Sequence, residues 1–261
     1  MTDELVSIDE NRKVNGKYFK LVFRSKSLSR KAEPGQFLHM DLHPSAAPFV
    51  SLDPFLRRPF SYYRIAKDRI EILYEVLGRG TAVLAGKKRG ELLKVLGPLG
   101  RSFAKSAGKK KRVLVAGGVG VPPILFLAER YGAEHLLIGC KSKQEVLPKK
   151  ELSKAKTEIL YATNDGSYGA KGFITVLLEK LIKKESPEKL FIQTCGPQVM
   201  MQAVIQMARR HGIDGEASLD ETMACGVGSC LGCMVKTPKG WVPSCVEGPV
   251  FGFNELVHES V

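Results

Sequence analysis

No stretch of this sequence stays apolar for the roughly 20 residues that a bilayer-spanning helix needs, and the strongest run, at 124–128, is far shorter. A membrane-spanning protein is therefore not expected. The start, MTDELVSIDENRK, lacks the apolar core and small-residue cleavage site of an export signal, so the expected location is the cytoplasm. Internal repeats and low-complexity tracts are missing as well, which removes solenoids from consideration. No constellation centred on His or Lys is legible, so no side chain is expected to work as acid or base on a small organic substrate. Aromatic residues do not interleave the basic runs at 87–89, 109–112, 149–150 and 183–184, each of which sits beside a turn or helix end. The formal charge of +13 thus reads first as a solvated surface, then as a face for an acidic protein or an anionic cofactor, and nucleic acid is not an expected partner.

What is present divides the 261 residues into three textures. Residues 1–105 carry short runs with near-alternating polarity (KYFKLVFRS, QFLHMDL, RPFSYYRI, RIEILYEVL), punctuated by Pro34-Gly35, a Pro-rich loop at 44–54 and glycines at 78, 80, 97 and 100. An antiparallel β-barrel is expected there. Residues 106–214 alternate strand-like runs (RVLVA, HLLIGC, EILYAT, LFIQTCG) with helical ones (ILFLAERYG, GFITVLLEKLIKK, PQVMMQAVIQMARRHG), the pattern of a doubly wound α/β domain with a parallel sheet. Residues 215–261 show no periodicity and too few apolar residues for a core of their own, so something other than packing must hold them.

The cysteines can do that. Four of the six, Cys225, Cys230, Cys233 and Cys245, follow the spacing C-x4-C-x2-C-x11-C, whose opening is that of a plant-type [2Fe–2S] site. Gly226, Gly228 and Gly232 between them would supply positive φ and bring amides close to sulfur. A structural zinc site is the competing reading, although zinc ribbons present two C-x2-C knuckles and only Cys230–Cys233 forms one.

Two further motifs carry chemistry. GGVGVPP lies between a strand and a helix, where Gly117, Gly118 and Gly120 would let backbone approach a pyrophosphate and Pro122 suits the first helical turn; alone, it reads equally as a nucleotide site or a tight connection. Arg58, Pro59, Phe60 and Ser61 open a strand, and Gly78-Arg79-Gly80-Thr81 follows; such a set can stack on a flat ring and neutralise a phosphate, or be an ordinary basic strand.

Taken in order, these motifs resemble the ferredoxin–NADP reductase superfamily, and MACGVGSCLGC…VPSCVEGPVF most closely resembles the electron-transfer subunits of class 1B dihydroorotate dehydrogenases. The resemblance implies that Arg58, Pro59, Phe60 and Ser61 line a flavin, that Leu73, Tyr74 and Glu75 pass along FAD, and that Gly80 and Thr81 hold its pyrophosphate. It makes the GGVGVPP turn the nucleotide-phosphate site and places Cys195, Gly196 and Pro197 on the nicotinamide side, with Asp165 in an adenosine-side loop that favours NADH over NADPH. It implies electron flow between NADH and a partner through FAD and a [2Fe–2S] cluster. The implied partner is a dihydroorotate dehydrogenase catalytic subunit carrying FMN, in a heterotetramer of two plus two serving pyrimidine biosynthesis. Equivalent subunits of a sulfide dehydrogenase, sulfite reductase, hydrogenase or bifurcating transhydrogenase are the alternative, and a zinc-stapled nucleic-acid-binding module is the alternative of another class.

Overall fold

The computed structural model describes residues 1–43, 53–152 and 157–257, so most of the expected loop at 44–54 lies outside the described residues. The first sheet holds β1 (Thr2–Lys13), β2 (Tyr18–Arg24), β3 (Phe37–Asp41), β4 (Arg58–Ser61), β5 (Arg64–Ala66), β6 (Arg69–Glu75) and β7 (Leu92–Leu99) in the order β4-β3-β7-β1-β2-β6-β5, with antiparallel pairings throughout. Only Tyr62 and Tyr63 separate β4 from β5, although these strands are the two edges of the sheet. A link of that length reaches about 10 Å, so the sheet must curl until its edges meet, as the expected barrel requires. Period-two burial along β7 turns Leu93 and Val95 inward, where they fill the interior together with Leu21, Phe23, Leu38, Met40 and Ile72, while Leu99 packs with Phe37, Met223, Cys233 and Cys245. The sequence pattern does not announce β1 or β7, because charged residues break the alternation of the first and Gly97-Pro98 that of the second. Two helices flank these strands, α1 (Lys26–Lys31) and α2 (Arg79–Gly86).

The second sheet holds β8 (Lys111–Gly117), β9 (His135–Cys140), β10 (Ile159–Thr163), β11 (Ala170–Lys171), β12 (Leu190–Cys195) and β13 (Asp214–Ser218) in parallel pairs, with β16 (Val250–Gly252) antiparallel at its far edge. Its order, β11-β10-β9-β8-β12-β13-β16, reverses direction between β8 and β12, and that is where open α/β sheets form their ligand crevice. Helices α3 (Val121–Tyr131), α4 (Lys149–Leu152), α5 (Thr175–Lys184) and α6 (Gln198–Arg210) connect the strands, with Gly132 and Gly212 at positive φ just past α3 and α6, where the sequence places their stops. Between β13 and β16 the chain leaves the sheet to form the hairpin of β14 (Met234–Thr237) and β15 (Gly240–Pro243) and the short α7 (Ser244–Glu247). The region beyond 215 therefore holds strands that its sequence pattern does not announce. Each is five residues or fewer, below the length at which alternation can be read.

The two sheets meet along α3, where Tyr18, Tyr63 and Leu73 of the barrel share a core with Ile124 and Leu125. A buried charge cluster locks the same junction. Glu151 of α4 accepts hydrogen bonds from Lys20 Nζ at 2.8 and 3.1 Å and from Arg12 Nη2 at 2.9 Å, while its carbonyl accepts from Arg64 Nη2 at 2.8 Å and from the Tyr63 hydroxyl. Burial works to raise the Glu151 carboxyl, but Lys20 and Arg12 hold it below its ordinary value. Removing one member strands the others without compensation, so Glu151→Ala is expected to cost about 3 kcal/mol and lower the melting temperature by roughly 10 °C. Because the folded carboxyl titrates below the unfolded value of 4.5, this stabilisation is present above pH 4.5 and is lost as pH falls through the folded value. A melting series of wild type and variant across acidic pH checks both statements.

Candidate functional site

A cleft opens where the barrel faces the carboxyl ends of β8, β12 and β13. Pro59, Phe60 and Ser61 of β4, Leu73, Tyr74 and Glu75 of β6, and Thr81 of α2 form one wall, and Cys195 forms part of the other. Eight positions marked in the sequence thus converge on one cavity. Phe60 and Tyr74 meet edge to face, with ring centroids 5.9 Å apart, and give this wall its aromatic lining. Arg58 lies just outside the cavity lining, against the first turn of α2: a Cβ on Gly80 would stand 2.8 Å from its Nε. A side chain at position 80 would push Arg58 away from this turn; as it stands, its Nη1 donates to the Leu56 and Arg57 carbonyls at 2.6 and 3.2 Å, and the guanidinium and the nearby helix start are a pairing suited to phosphate. Thr81 Oγ1 accepts from the amides of Leu77 and Gly78 at 2.9 and 3.2 Å, so it shapes this turn as its cap.

The turns after β8 and β12 are pressed together backbone to backbone. A Cβ on Gly120 would lie 2.0 Å from the Cys195 carbonyl oxygen, and one on Gly196 would lie 2.8 Å from that of Gly117. Pro197 covers Gly117 and Gly118, Gly118 takes φ +50°, and Pro122 is buried in the first turn of α3. Cys195 is buried, and its thiol is pushed up to about 12, first by that burial and then by the Asp220 carboxylate, so it stays protonated. Asp165 stands apart from the cavity, exposed in the turn after β10, where its Oδ1 accepts from the Ser167 amide and hydroxyl at 2.9 and 2.6 Å.

Several lining residues escape the sequence reading: Tyr18, Phe37, Val119, Ser218, Leu219, Asp220, Glu221, Met223 and Pro249. Tyr18 had a legible signal, a hydroxyl on a barrel strand, and it donates to the Gly118 carbonyl at 2.8 Å to tie the barrel to the turn. The run 218–223 had none, since it gains its place only from the pairing of β13 with β12.

Met223 leads from this cavity directly into the cysteine loop. Gly226 and Gly228 take φ of +71° and +78° as expected, but Gly232 does not; the left-handed residue at that turn is Leu231, φ +57°. Amides of Val227 and Cys230 reach Cys225 Sγ at 3.4 Å, that of Gly228 reaches Cys245 Sγ at 3.1 Å, and that of Cys245 reaches Cys233 Sγ at 3.4 Å. Although burial opposes it, these backbone donors bring the Cys225 thiol down to about 6; Cys245 is pushed up to about 12 by burial and by its neighbour Cys233. Cys225 thus interacts with Cys230, and Cys233 with Cys245. Among the described residues no three His, Cys, Asp or Glu side chains gather around one point as ligands of a single ion. Four thiols close in the chain, with backbone amides directed at sulfur, are the kind of ligand set that a binuclear iron–sulfur cluster takes. Cys233 and Cys245 are buried while Cys230 is exposed, and the same module exposes the apolar residues Val227, Leu231, Trp241 and Val246.

Comparison with known proteins agrees with this division of labour. Residues 220–257 match the family described as the iron–sulfur cluster binding domain of dihydroorotate dehydrogenase B. The structure is similar, at TM-score 0.81 and 27% identity over 98% of this chain and 91% of the other, to an NADH-dependent reduced ferredoxin–NADP oxidoreductase studied for flavin-based electron bifurcation. A dihydroorotate dehydrogenase B (NAD(+)) electron transfer subunit from Caldanaerobacter subterraneus is 34% identical, with 95% of each chain covered. Its counterpart from Desulforamulus reducens is 32% identical over 91% of each chain, and with likeness of this extent the chain belongs to the family of dihydroorotate dehydrogenase B electron transfer subunits.

Proposed function

We propose that this chain passes electrons between NADH and the catalytic subunit of a dihydroorotate dehydrogenase, by way of FAD and a [2Fe–2S] cluster, in pyrimidine biosynthesis. The observation that carries the reading is the direct continuity, through Met223, of the flavin-type cavity with a loop holding four thiols in two pairs. When bound, the flavin accepts two electrons as hydride and the cluster conveys them singly.

The chain's own residues bind and orient. Arg58 and the first turn of α2 would take the pyrophosphate, Phe60, Ser61 and the 73–75 strand the ring and its flank, and Cys225, Cys230, Cys233 and Cys245 the irons. Gly117, Gly118, Gly120 and Pro122 would receive the dinucleotide phosphates, and Gly196 and Pro197 the nicotinamide side, with Cys195 as a neutral wall. Asp165, a carboxylate held below its usual range by Ser167, would disfavour a 2′-phosphate and so favour NADH. The exposed apolar residues of the cysteine module, Val227 and Leu231 beside Cys230 among them, would face a catalytic subunit carrying FMN, in an assembly of two plus two. The unpaired thiols Cys140 and Cys195 suit a reducing compartment, the cytoplasm.

Anaerobic purification tests the whole: a spectrum with both flavin and iron–sulfur bands, bleached by NADH, is expected, together with co-purification of an FMN protein that oxidises dihydroorotate. Recovery of a ferredoxin-dependent oxidoreductase partner would move the chain to the bifurcating enzymes that its structural neighbour represents. For the flavin alone, Arg58→Ala removes a charge-assisted contact worth about 1.5–3 kcal/mol, so FAD affinity of the flavin-stripped protein should fall about 10- to 100-fold in a fluorescence titration.

A further inference from the structure

Strand β3 carries a histidine that the site described so far does not use. His39 is completely buried, and neither of its ring nitrogens has a hydrogen-bond partner. An imidazole always presents donor or acceptor capacity at both nitrogens, and leaving both unmet in a protein interior costs enough that a partner is called for. Its surroundings say which. On one side His39 pairs in register with Pro59 of the flavin-type strand and meets Phe37, a cavity residue, edge to face at 6.4 Å. On the other side it faces the cysteine loop: a Cβ on Gly226 would stand 2.8 Å from His39 Nδ1. Carbonyls of Cys225 and Met223 approach the ring, yet neither makes hydrogen-bond geometry with it. Gly226 is thus a gap in the loop wall, left open at the point where the imidazole nitrogen arrives.

We propose that His39 is a positioning residue for the cluster, its imidazole N–H reaching past Gly226 to donate a hydrogen bond to a sulfur of the group held by Cys225 and its three partners. This rests on the reading of those cysteines as an iron–sulfur site. A donor to sulfur stabilises the extra negative charge of the reduced cluster, so it raises the reduction potential. Because β3 also abuts the flavin-type strand, the same side chain fixes the cysteine loop against the barrel wall.

Two measurements on the anaerobically purified full chain decide the matter. In His39→Phe, which keeps an aromatic ring and removes both nitrogens, the cluster midpoint should move to a more negative potential, equivalent to about a tenfold change in the one-electron equilibrium, or about 59 mV. His39→Asn, which restores a polar group near the Nδ1 position, should recover much of that shift. Pulsed electron paramagnetic resonance of the reduced wild-type cluster, grown with nitrogen-15 histidine, should show one coupled histidine nitrogen. That second measurement needs no variant to fold. Absence of histidine coupling, or a His39→Phe midpoint equal to wild type, would overturn the assignment. A wild-type preparation without iron would instead overturn the cluster reading beneath it.

Discussion

Cys230→Ser is expected to leave NADH-dependent bleaching of the flavin close to wild type while delivery of electrons to a protein acceptor collapses, by more than the roughly 10- to 100-fold seen when only an outer-shell partner of a metal is lost. The asymmetry follows from where Cys230 sits. It is the most exposed of the four thiols and lines no part of the flavin-type cavity, so its loss spares the walls built by Phe60, Leu73 and Cys195. It nevertheless provides one of two thiols on the outer pair, and serine is a poor replacement for a thiolate at iron. Stopped-flow absorbance separates the two halves, flavin bleaching on one time base and acceptor reduction on another. Retained delivery to the acceptor would mean that electrons leave by a route other than this loop.

Gly120→Ala, in the turn after β8, should be severely damaging for a change of one methyl group. The added carbon would lie 2.0 Å from the Cys195 carbonyl oxygen and 2.1 Å from its carbon, and both neighbours are backbone, so no rotamer can relieve the clash. Relief requires that the β8 and β12 turns separate. The expected cost is about 3 kcal/mol, a drop of roughly 10 °C in melting temperature, with loss of NADH binding that outlasts any low-temperature rescue of the fold. Gly86→Ala, where a Cβ meets nothing, is the matched control and should leave both properties unchanged.

The sequence makes some of this legible and hides the rest for physical reasons. The parallel sheet shows itself because its strands are buried on both faces and its helices end on glycine, as at Gly132 and Gly212. The cysteine spacing is local, and so are the glycine turns, so those site residues can be named from the chain alone. By contrast, Ser218, Asp220 and Met223 reach the cavity only through the β12–β13 register, a long-range fact with no local signature. His39 is hidden in the same way, reading as one polar residue in QFLHMDL until Gly226 is seen folded against it. The barrel is less legible than the sheet because β1 and β7 interrupt their own alternation.

One detail of chain routing bears on engineering. β13 and β16 are hydrogen-bonded neighbours, and the Leu219 amide donates to the Pro249 carbonyl at 2.9 Å, so the whole cysteine-bearing excursion begins and ends at one point. A segment whose two ends already touch can be exchanged like a cassette. A two- or three-residue turn joining Leu219 to Pro249 would close the host chain without stretching it, but it would uncover Phe37 and Leu99, whose core partners Met223, Cys233 and Cys245 leave with the piece, and empty the place that Val235 fills beside Phe251.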